Sequence, residues 1–139
     1  MAINTVYITM FSKKYMLQGF VLLNSLLRNR NVGEIWVLSL DVETYQTLSK
    51  AEIPSLNIVF IEDVDLLCQK FAQYRKFRSF GESIFSIKPF WIYFVLSRLD
   101  YQDILFYVDS DSMFFRELPT FNYEKSIILS PHYFSRETQ

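Results

Sequence analysis

Residues 103–111, with the sequence Asp-Ile-Leu-Phe-Tyr-Val-Asp-Ser-Asp, constrain the fold of this chain more than any other stretch. Five apolar or aromatic residues run without a break into two carboxylates, Asp109 and Asp111. A short apolar run bounded by polar residues indicates a strand buried on both faces, which is typical of parallel sheets. Because side chains at positions i and i+2 of a strand point to the same face, we expect both carboxylates to leave the carboxyl end of the sheet together.

This pair of carboxylates predicts a divalent metal. Two carboxylates this close repel each other unless one is protonated or a cation lies between them. A hard divalent ion prefers oxygen ligands and keeps coordination positions open for a diphosphate. Open α/β sheets bind their ligands at this edge. The hypothesis is therefore a metal-diphosphate site at Asp109 and Asp111, and the alternative is a strand-end turn with two solvated acids.

Composition favours one packed domain over residues 1–139, because 50% of the 139 residues are hydrophobic and 18% are aromatic. The net charge of −1 gives no general electrostatic attraction for nucleic acid. The single cysteine, Cys68, cannot form an internal disulfide, which favours a reducing compartment. No apolar run approaches the roughly 20 residues of a membrane span, and the first residues lack a signal-peptide pattern. The expectation is a soluble, cytoplasmic protein without a transmembrane segment.

The three glycines are far apart, so neither GxGxxG nor a P-loop is present. A diphosphate would therefore be held mainly through a metal and not by a glycine-rich backbone loop.

Strand-like and helix-like patterns alternate along the chain. They predict strands at 4–10, 34–40, 56–61, 103–109 and 125–130, and helices at 15–30, 42–50, 63–78 and 86–99. The predicted N-caps are Ser12, Asp41, Asp63 or Asp65, and Ser86 or Lys88. Pro89 is then expected in the first turn of the last helix, and the apolar residues 90–96 predict a helix buried between layers. This alternation predicts an α/β fold with a mostly parallel sheet flanked by helices.

Basic and aromatic residues interleave between positions 70 and 80. Two interpretations are open for this stretch. One is an amphipathic helix with its aromatic residues in the core and its charges in water. The other is a patch that binds phosphate or a membrane surface.

Three segments stand in a recognisable order. Thr9 ends strand one and Tyr15 opens the next helix; Ser-Ile-Lys-Pro-Phe-Trp follows at 86–91, and the strand with Asp-Ser-Asp ends at Asp111. Together they resemble the GT-A nucleotide-sugar glycosyltransferases, and in particular the glycogenin-like glycosyltransferase family 8. The resemblance covers about residues 5–131 and implies the GT-A fold, a Rossmann-like nucleotide-diphospho-sugar transferase fold.

The resemblance implies an enzyme that transfers a sugar from a nucleotide donor, usually a UDP-sugar, with Mn²⁺ or Mg²⁺ as cofactor. The acceptor could be a carbohydrate, a lipid or a protein. By position, Asp109 and Asp111 would be the metal ligands, and Lys88 would lie near the donor phosphates or sugar. The other implied nucleotide-sugar-binding residues are Ser110 between the two ligands, and Thr9, Phe11 and Tyr15 where the first strand and its loop meet the base.

The chain departs from the family pattern at two places. The loop after strand one, residues 10–14, lacks the acidic residue that commonly reads the base. The family also continues beyond its Asp-x-Asp into a half that supplies the acceptor site and a third metal ligand, often His. This chain is therefore expected to be the N-terminal, nucleotide-binding portion of a catalytic domain. Its only histidine, His132, is expected in a surface loop and not as that ligand.

Two alternative functions stay open at this point. The first is a non-catalytic nucleotide-binding or interaction module, whose open side of the sheet would self-associate or be covered by a partner. The second is a haloacid-dehalogenase-type phosphatase, in which the first Asp of the motif is a nucleophile and the second a general acid/base. That family also needs a downstream lysine and paired acids, and no acid pair follows Asp111.

Overall fold

Four parallel strands form one sheet in the order β3-β2-β1-β4. The structure, a computed structural model, describes residues 4–30, 32–67, 69–100 and 103–118. The strands are β1 (Thr5–Phe11), β2 (Glu34–Ser39), β3 (Leu56–Phe60) and β4 (Ile104–Tyr107). The α/β class and the parallel sheet are confirmed for this part of the chain. The predicted strand at 125–130, the tail and His132 lie outside it.

The strand order reverses between β1 and β4. The chain moves outward from β1 to β2 to β3, and then returns to the free side of β1 to form β4. Ile8 of β1 is consequently paired with Trp36 on one side and with Tyr107 on the other. In open parallel sheets, ligands bind beyond the carboxyl ends of the strands at such a reversal point. The residues that follow β1 and β4 therefore lie where a ligand is expected.

Helices cover both faces of the sheet. They are α1 (Met16–Leu27), α2 (Val42–Lys50), α3 (Ile61–Leu67), α4 (Gln69–Arg75) and α5 (Phe80–Leu96). Alternate residues of β1 belong to the two cores: Val6, Ile8 and Met10 pack with α5, and Tyr7 and Phe11 pack with α1 and α2. Because β1 is buried on both faces, it is the central strand of the described sheet.

The predicted central strand at 103–109 is shorter and less buried than expected. As β4 it spans Ile104–Tyr107, all four residues are half-buried, and within the described residues it pairs with β1 alone. The strand still packs on both cores, with Leu105 and Tyr107 against one and Phe106 against the other, so burial on both faces is confirmed only in part. A continuous apolar run indicates a strand, but it does not specify the position of that strand in the sheet.

The start of α5 differs from the prediction. A capping box at Ser79 begins the helix: the Ser79 hydroxyl accepts from the backbone N–H of Glu82, and the Glu82 carboxylate accepts from the Ser79 N–H. Pro89 therefore lies inside the helix and not in its first turn. Pro89 and Phe85 are both exposed, so water can hydrate the Phe85 carbonyl that lacks its N–H partner.

Burial of α5 on all sides is also wrong. Trp91 and Val95 are fully buried, whereas Tyr93 is 70% exposed and Leu96 is exposed as well. The helix places one face on the sheet, and its opposite apolar face lies at the surface of the described part.

The other helix boundaries shift in smaller ways. A 3₁₀ turn, Lys13–Tyr15, precedes α1, and the Ser12 side chain makes no capping hydrogen bond. In the stretch predicted as a helix at 63–78, the described residues Ile61–Leu67 and Gln69–Arg75 are helical, and Cys68 lies outside the described residues. The helix at Val42–Lys50 with Asp41 as its N-cap is confirmed.

In the basic-aromatic stretch, Phe77 is 89% exposed and Phe80 is exposed too, so these two rings are outside the core. Among the described residues, the search for a helix of the length and apolarity needed to cross a bilayer found none.

Candidate functional site

Asp109 and Asp111 lie in a turn beyond the carboxyl end of β4. The Val108 N–H donates to the Ile8 carbonyl, which holds the chain on β1, and the Ser112 N–H donates to the Asp109 carbonyl at 3.1 Å, which closes the turn. Both carboxylates are exposed. The predicted location at the carboxyl edge holds. The predicted strand spacing does not, because both residues follow the last paired residue, Tyr107.

Lys88 of α5 contacts this turn. Its Nζ donates to Asp109 Oδ1 at 2.8 Å, and it lies 4.9 Å from the centroid of the Tyr107 ring and 5.9 Å from that of Phe85. The α5 helix is fixed below by buried Ile87 and Trp91, which set the origin of the Lys88 side chain. The structure thus brings together the predicted Lys88 and Asp109, with Asp111 two residues further along the turn.

Tyr107 and Phe85 also belong to this site but were not among the residues predicted from the sequence. Burial raises the pKa of the Tyr107 phenol, and the charge of Asp109, hydrogen bonding to Asp109 and the charge of Asp111 raise it further. The phenol is therefore neutral at physiological pH and acts as a hydrogen-bond donor and as a ring beneath Lys88. Their spacing in the sequence could have identified them, because Tyr107 precedes Asp109 by two residues and Phe85 precedes Lys88 by three residues on a helix.

The side chains of Thr9 and Phe11 are buried in the core. The Thr9 carbonyl accepts from Trp91 Nε1 at 3.1 Å, and its hydroxyl has no hydrogen-bond partner among the described residues. The Phe11 ring packs directly against Gly19 of α1. Of the three side chains predicted to meet the base, only that of Tyr15 reaches the surface, with 40% of its area exposed.

Asp41, after β2, is a carboxylate of a different kind. It accepts from the backbone N–H of Lys13 at 2.6 Å and from that of Thr44 at 2.8 Å. Burial favours a higher pKa for Asp41, but these hydrogen bonds and the Lys13 charge outweigh it and hold the pKa below the ordinary value. Both Asp41 oxygens therefore serve the fold.

An open cleft of about 270 Å³ lies where the chain leaves β2 and β3. We refer to it as the Arg78 cleft, and its lining residues are Leu40, Ile61, Arg75, Arg78, Phe80, Ser83, Ile84 and Ile87. Arg75 is paired with Asp65, whereas Arg78 donates to the Ser86 hydroxyl. The α5 helix connects the cleft to the turn, since Ile87 lines the cleft and the next residue, Lys88, contacts Asp109.

The donor set at the turn fits a hard divalent ion. Carboxylate oxygens are the ligands that Mg²⁺ and Mn²⁺ prefer, and such ions take their remaining ligands from water and phosphate. The Asp109 carboxylate already has a cationic partner, the Lys88 ammonium. Among the described residues there is no group of three or more His, Cys, Asp or Glu side chains arranged to hold a metal. An ion here would have two protein carboxylates, with Ser110 between them.

Comparisons of the chain with protein-family profiles, with curated proteins and with solved structures gave no match. What bears on function is the chemistry of the site itself. Two exposed carboxylates and one ammonium lie beside the reversal in strand order, and an arginine-containing cleft lies along the same edge.

Proposed function

We propose that this protein is a GT-A-type glycosyltransferase that binds a UDP-sugar through Mn²⁺ or Mg²⁺ at Asp109 and Asp111. One observation carries the proposal: both carboxylates are exposed beside the β1–β4 reversal, with the Lys88 ammonium 2.8 Å from Asp109. A diphosphate carries several negative charges, and a lysine together with a metal on two carboxylates provides the opposite charge where α/β sheets bind ligands.

The residues of the turn would act on the leaving group. In sugar transfer, the bond between the anomeric carbon and the phosphate oxygen breaks, and UDP leaves with the electron pair. An acceptor hydroxyl forms the new glycosidic bond and loses its proton. A divalent ion, when bound, supplies charge neutralisation to the departing diphosphate. Asp109 and Asp111 would hold that ion through their oxygens, and Lys88 would face the phosphates as a second cation.

The Arg78 cleft supports a place for the nucleoside part of the donor. Its walls are mainly apolar, as a base requires, and Ser83 and Arg78 add hydrogen-bonding groups. The cleft and the turn lie on the two sides of the Ile87–Lys88 step of α5. A donor that spans this step would place its diphosphate at Lys88 and its base in the cleft. Tyr15 is exposed but does not line the cleft, so this arrangement does not use it as a base contact.

Isothermal titration of UDP with Mn²⁺, and separately with EDTA, tests the proposal. We expect binding that requires the metal and that Asp111→Asn abolishes, while the unfolding midpoint of the variant is unchanged. Glu52→Gln is the matched control, because Glu52 is an exposed acid before β3, at the opposite edge of the sheet. Equal affinity for UDP with Mn²⁺ and with EDTA would remove the metal-diphosphate site.

A second measurement separates a transferase from a non-catalytic binding module. UDP release is measured from a panel of UDP-sugars with Mn²⁺ and with water as the default acceptor, and Asp111→Asn serves as the blank. A transferase releases UDP above the blank with at least one donor. Metal-dependent binding of UDP without release from any donor would support the module.

A further inference from the structure

Lys88 already occupies one of the two carboxylates that the proposed metal needs. Its Nζ lies 2.8 Å from Asp109 Oδ1, and the side chains are 29% and 60% exposed. A divalent ion on the same carboxylate would place two cations within a few ångströms of each other, where they repel. We infer that Lys88 is an internal counter-ion which the metal displaces from Asp109, so that metal and diphosphate bind cooperatively; this inference rests on the proposed donor site.

The contacts of the Lys88 ammonium are suited to exchange. Besides Asp109, its surroundings include the Tyr107 and Phe85 rings at 4.9 and 5.9 Å. An ion pair and cation–π contacts are weak at partly exposed positions, so a divalent ion can replace them. The aliphatic part of the Lys88 side chain, however, begins on a helix that buried Ile87 and Trp91 hold in place. The displaced ammonium therefore stays near the turn, within reach of a bound phosphate.

This arrangement couples the two ligands. A divalent ion that binds without a diphosphate contacts Asp109, but Lys88 then loses its ion-pair partner. When the ion binds together with a diphosphate, Lys88 gains a new anionic partner, and this contact offsets the free energy lost with the Lys88–Asp109 pair. Each ligand then raises the affinity of the other by the same factor, as thermodynamic linkage requires. Lys88 would thereby disfavour binding of the metal without the donor.

The test measures Mn²⁺ affinity from the electron paramagnetic resonance signal of free Mn²⁺, with and without UDP. Lys88→Met keeps the length of the side chain and removes its charge. We expect it to bind Mn²⁺ alone roughly threefold to tenfold more tightly, because the competing cation is gone. We expect it to bind Mn²⁺ with UDP about tenfold more weakly, because a charged hydrogen bond to phosphate is lost. The factor by which UDP tightens Mn²⁺ binding therefore falls by about thirtyfold to a hundredfold.

Two further variants control this result. Lys88→Arg restores a cation and is expected to restore weak binding of Mn²⁺ alone. Lys50→Met makes the same charge change at the last residue of α2, the end opposite to its Asp41 cap, and is expected to change neither affinity. Thermal unfolding checks each protein, and Lys88→Gln replaces Lys88→Met if the latter does not fold.

The outcomes separate the inference from the proposed function. If the wild type binds Mn²⁺ with UDP through Asp111, but Lys88→Met binds Mn²⁺ alone no more tightly than the wild type, the counter-ion role is wrong and the donor site stands. If the wild type shows no Asp111-dependent binding of Mn²⁺ with UDP, the donor site itself is wrong.

Discussion

The carboxyl edge of the sheet has two halves that use their side chains differently. The closed half lies at the ends of β1 and β2, where four side chains are buried or bonded to the backbone: Thr9, Phe11, Ser12 and Asp41. The open half lies at the end of β4: Lys88 pairs with Asp109 beside the Tyr107 ring, and Asp109 and Asp111 reach solvent. Both halves combine polar and aromatic residues, so their composition alone does not distinguish them.

Because of this difference, we expect substitutions in the two halves to affect different properties of the protein. In the closed half a polar group is a structural partner, as the Thr9 carbonyl is for the Trp91 indole. In the open half, Asp109 and Asp111 are exposed, so under the proposed function a ligand can bind them without uncovering the core. Substitutions in the closed half should therefore lower the free energy of unfolding, and substitutions in the open half should change ligand affinity.

Trp91→Ala should give the largest effect. The side chain is fully buried, packs on Phe94 and donates to the Thr9 carbonyl, so truncation leaves a cavity and removes a buried hydrogen bond. We expect a loss of about 3–5 kcal/mol in the free energy of unfolding, measured by urea denaturation. Tyr93→Ala, two residues along the same helix but exposed, should cost less than about 0.5 kcal/mol. Similar losses for the two variants would mean that α5 does not close this half of the edge.

Gly19→Ala should give the next largest effect. A Cβ at Gly19 would lie 2.6 Å from the Phe11 ring, so the ring or α1 must move. Overpacking of this kind costs about 1–3 kcal/mol, against a helix-propensity gain of about 1 kcal/mol. Thermal unfolding should therefore show a destabilised variant.

The matched change is Gly81→Ala, also within a helix. No described atom lies within 4 Å of its Cβ position, so propensity alone should stabilise the protein by up to about 1 kcal/mol. Stabilisation by both changes would show that Phe11 is free to move and that this half is not closed.

The fold was largely predictable from local patterns. The alternation of strands and helices gave the parallel sheet, and Asp41 was identified as a cap because an acid before a helical segment has one strong local use. The apolar run at 103–109 gave a strand, but its position at the edge of the described sheet depends on pairing with β1, which is distant in sequence.

The site was predictable only in part, for physical reasons. Lys88 and Asp109 were both assigned to the donor site by the family resemblance, whereas the burial of Thr9 and Phe11 depends on α1 and α5 packing against β1. Pro89 suggested a helix start near 86, but the capping box at Ser79 begins the helix at Phe80, six residues earlier. A local signal was overruled there by a stronger one, since this helix can lose one hydrogen bond on its exposed side.

Arg78→Ala should weaken binding without a comparable change in stability. If the Arg78 cleft holds the nucleoside, loss of the guanidinium should weaken UDP binding with Mn²⁺ by about tenfold. Pyrophosphate with Mn²⁺ should bind as before, because it occupies the turn alone. Isothermal titration of both ligands measures the difference, with exposed Arg30→Ala, just after α1, as the charge control. Equal weakening for UDP and pyrophosphate would assign Arg78 to the phosphates and not to the nucleoside.

The smallest expected effects are the losses in unfolding free energy when two acids at the same edge are replaced. Asp41→Ala removes an N-cap that accepts two backbone N–H groups and should cost about 1 kcal/mol at pH 7. Asp109→Ala removes one ion pair and should cost between 0 and about 1 kcal/mol, near the lower end because the Asp109 side chain is 60% exposed. Urea denaturation of both variants beside the wild type measures the two losses.

Low pH should remove the contribution of the Asp41 carboxylate to the free energy of unfolding. The pKa of Asp41 in the folded protein lies below its ordinary value, so its charged form stabilises the fold above the unfolded-state pKa of about 3.9. As the pH falls below that value and through the folded pKa, the carboxyl is protonated and the contribution disappears. The gap in unfolding free energy between wild type and Asp41→Ala should therefore be full at pH 6–7 and shrink below about pH 4. A gap that is unchanged at pH 3 would mean that the Asp41 cap does not depend on its charge, and that a neutral hydrogen-bond acceptor is sufficient to hold the closed half.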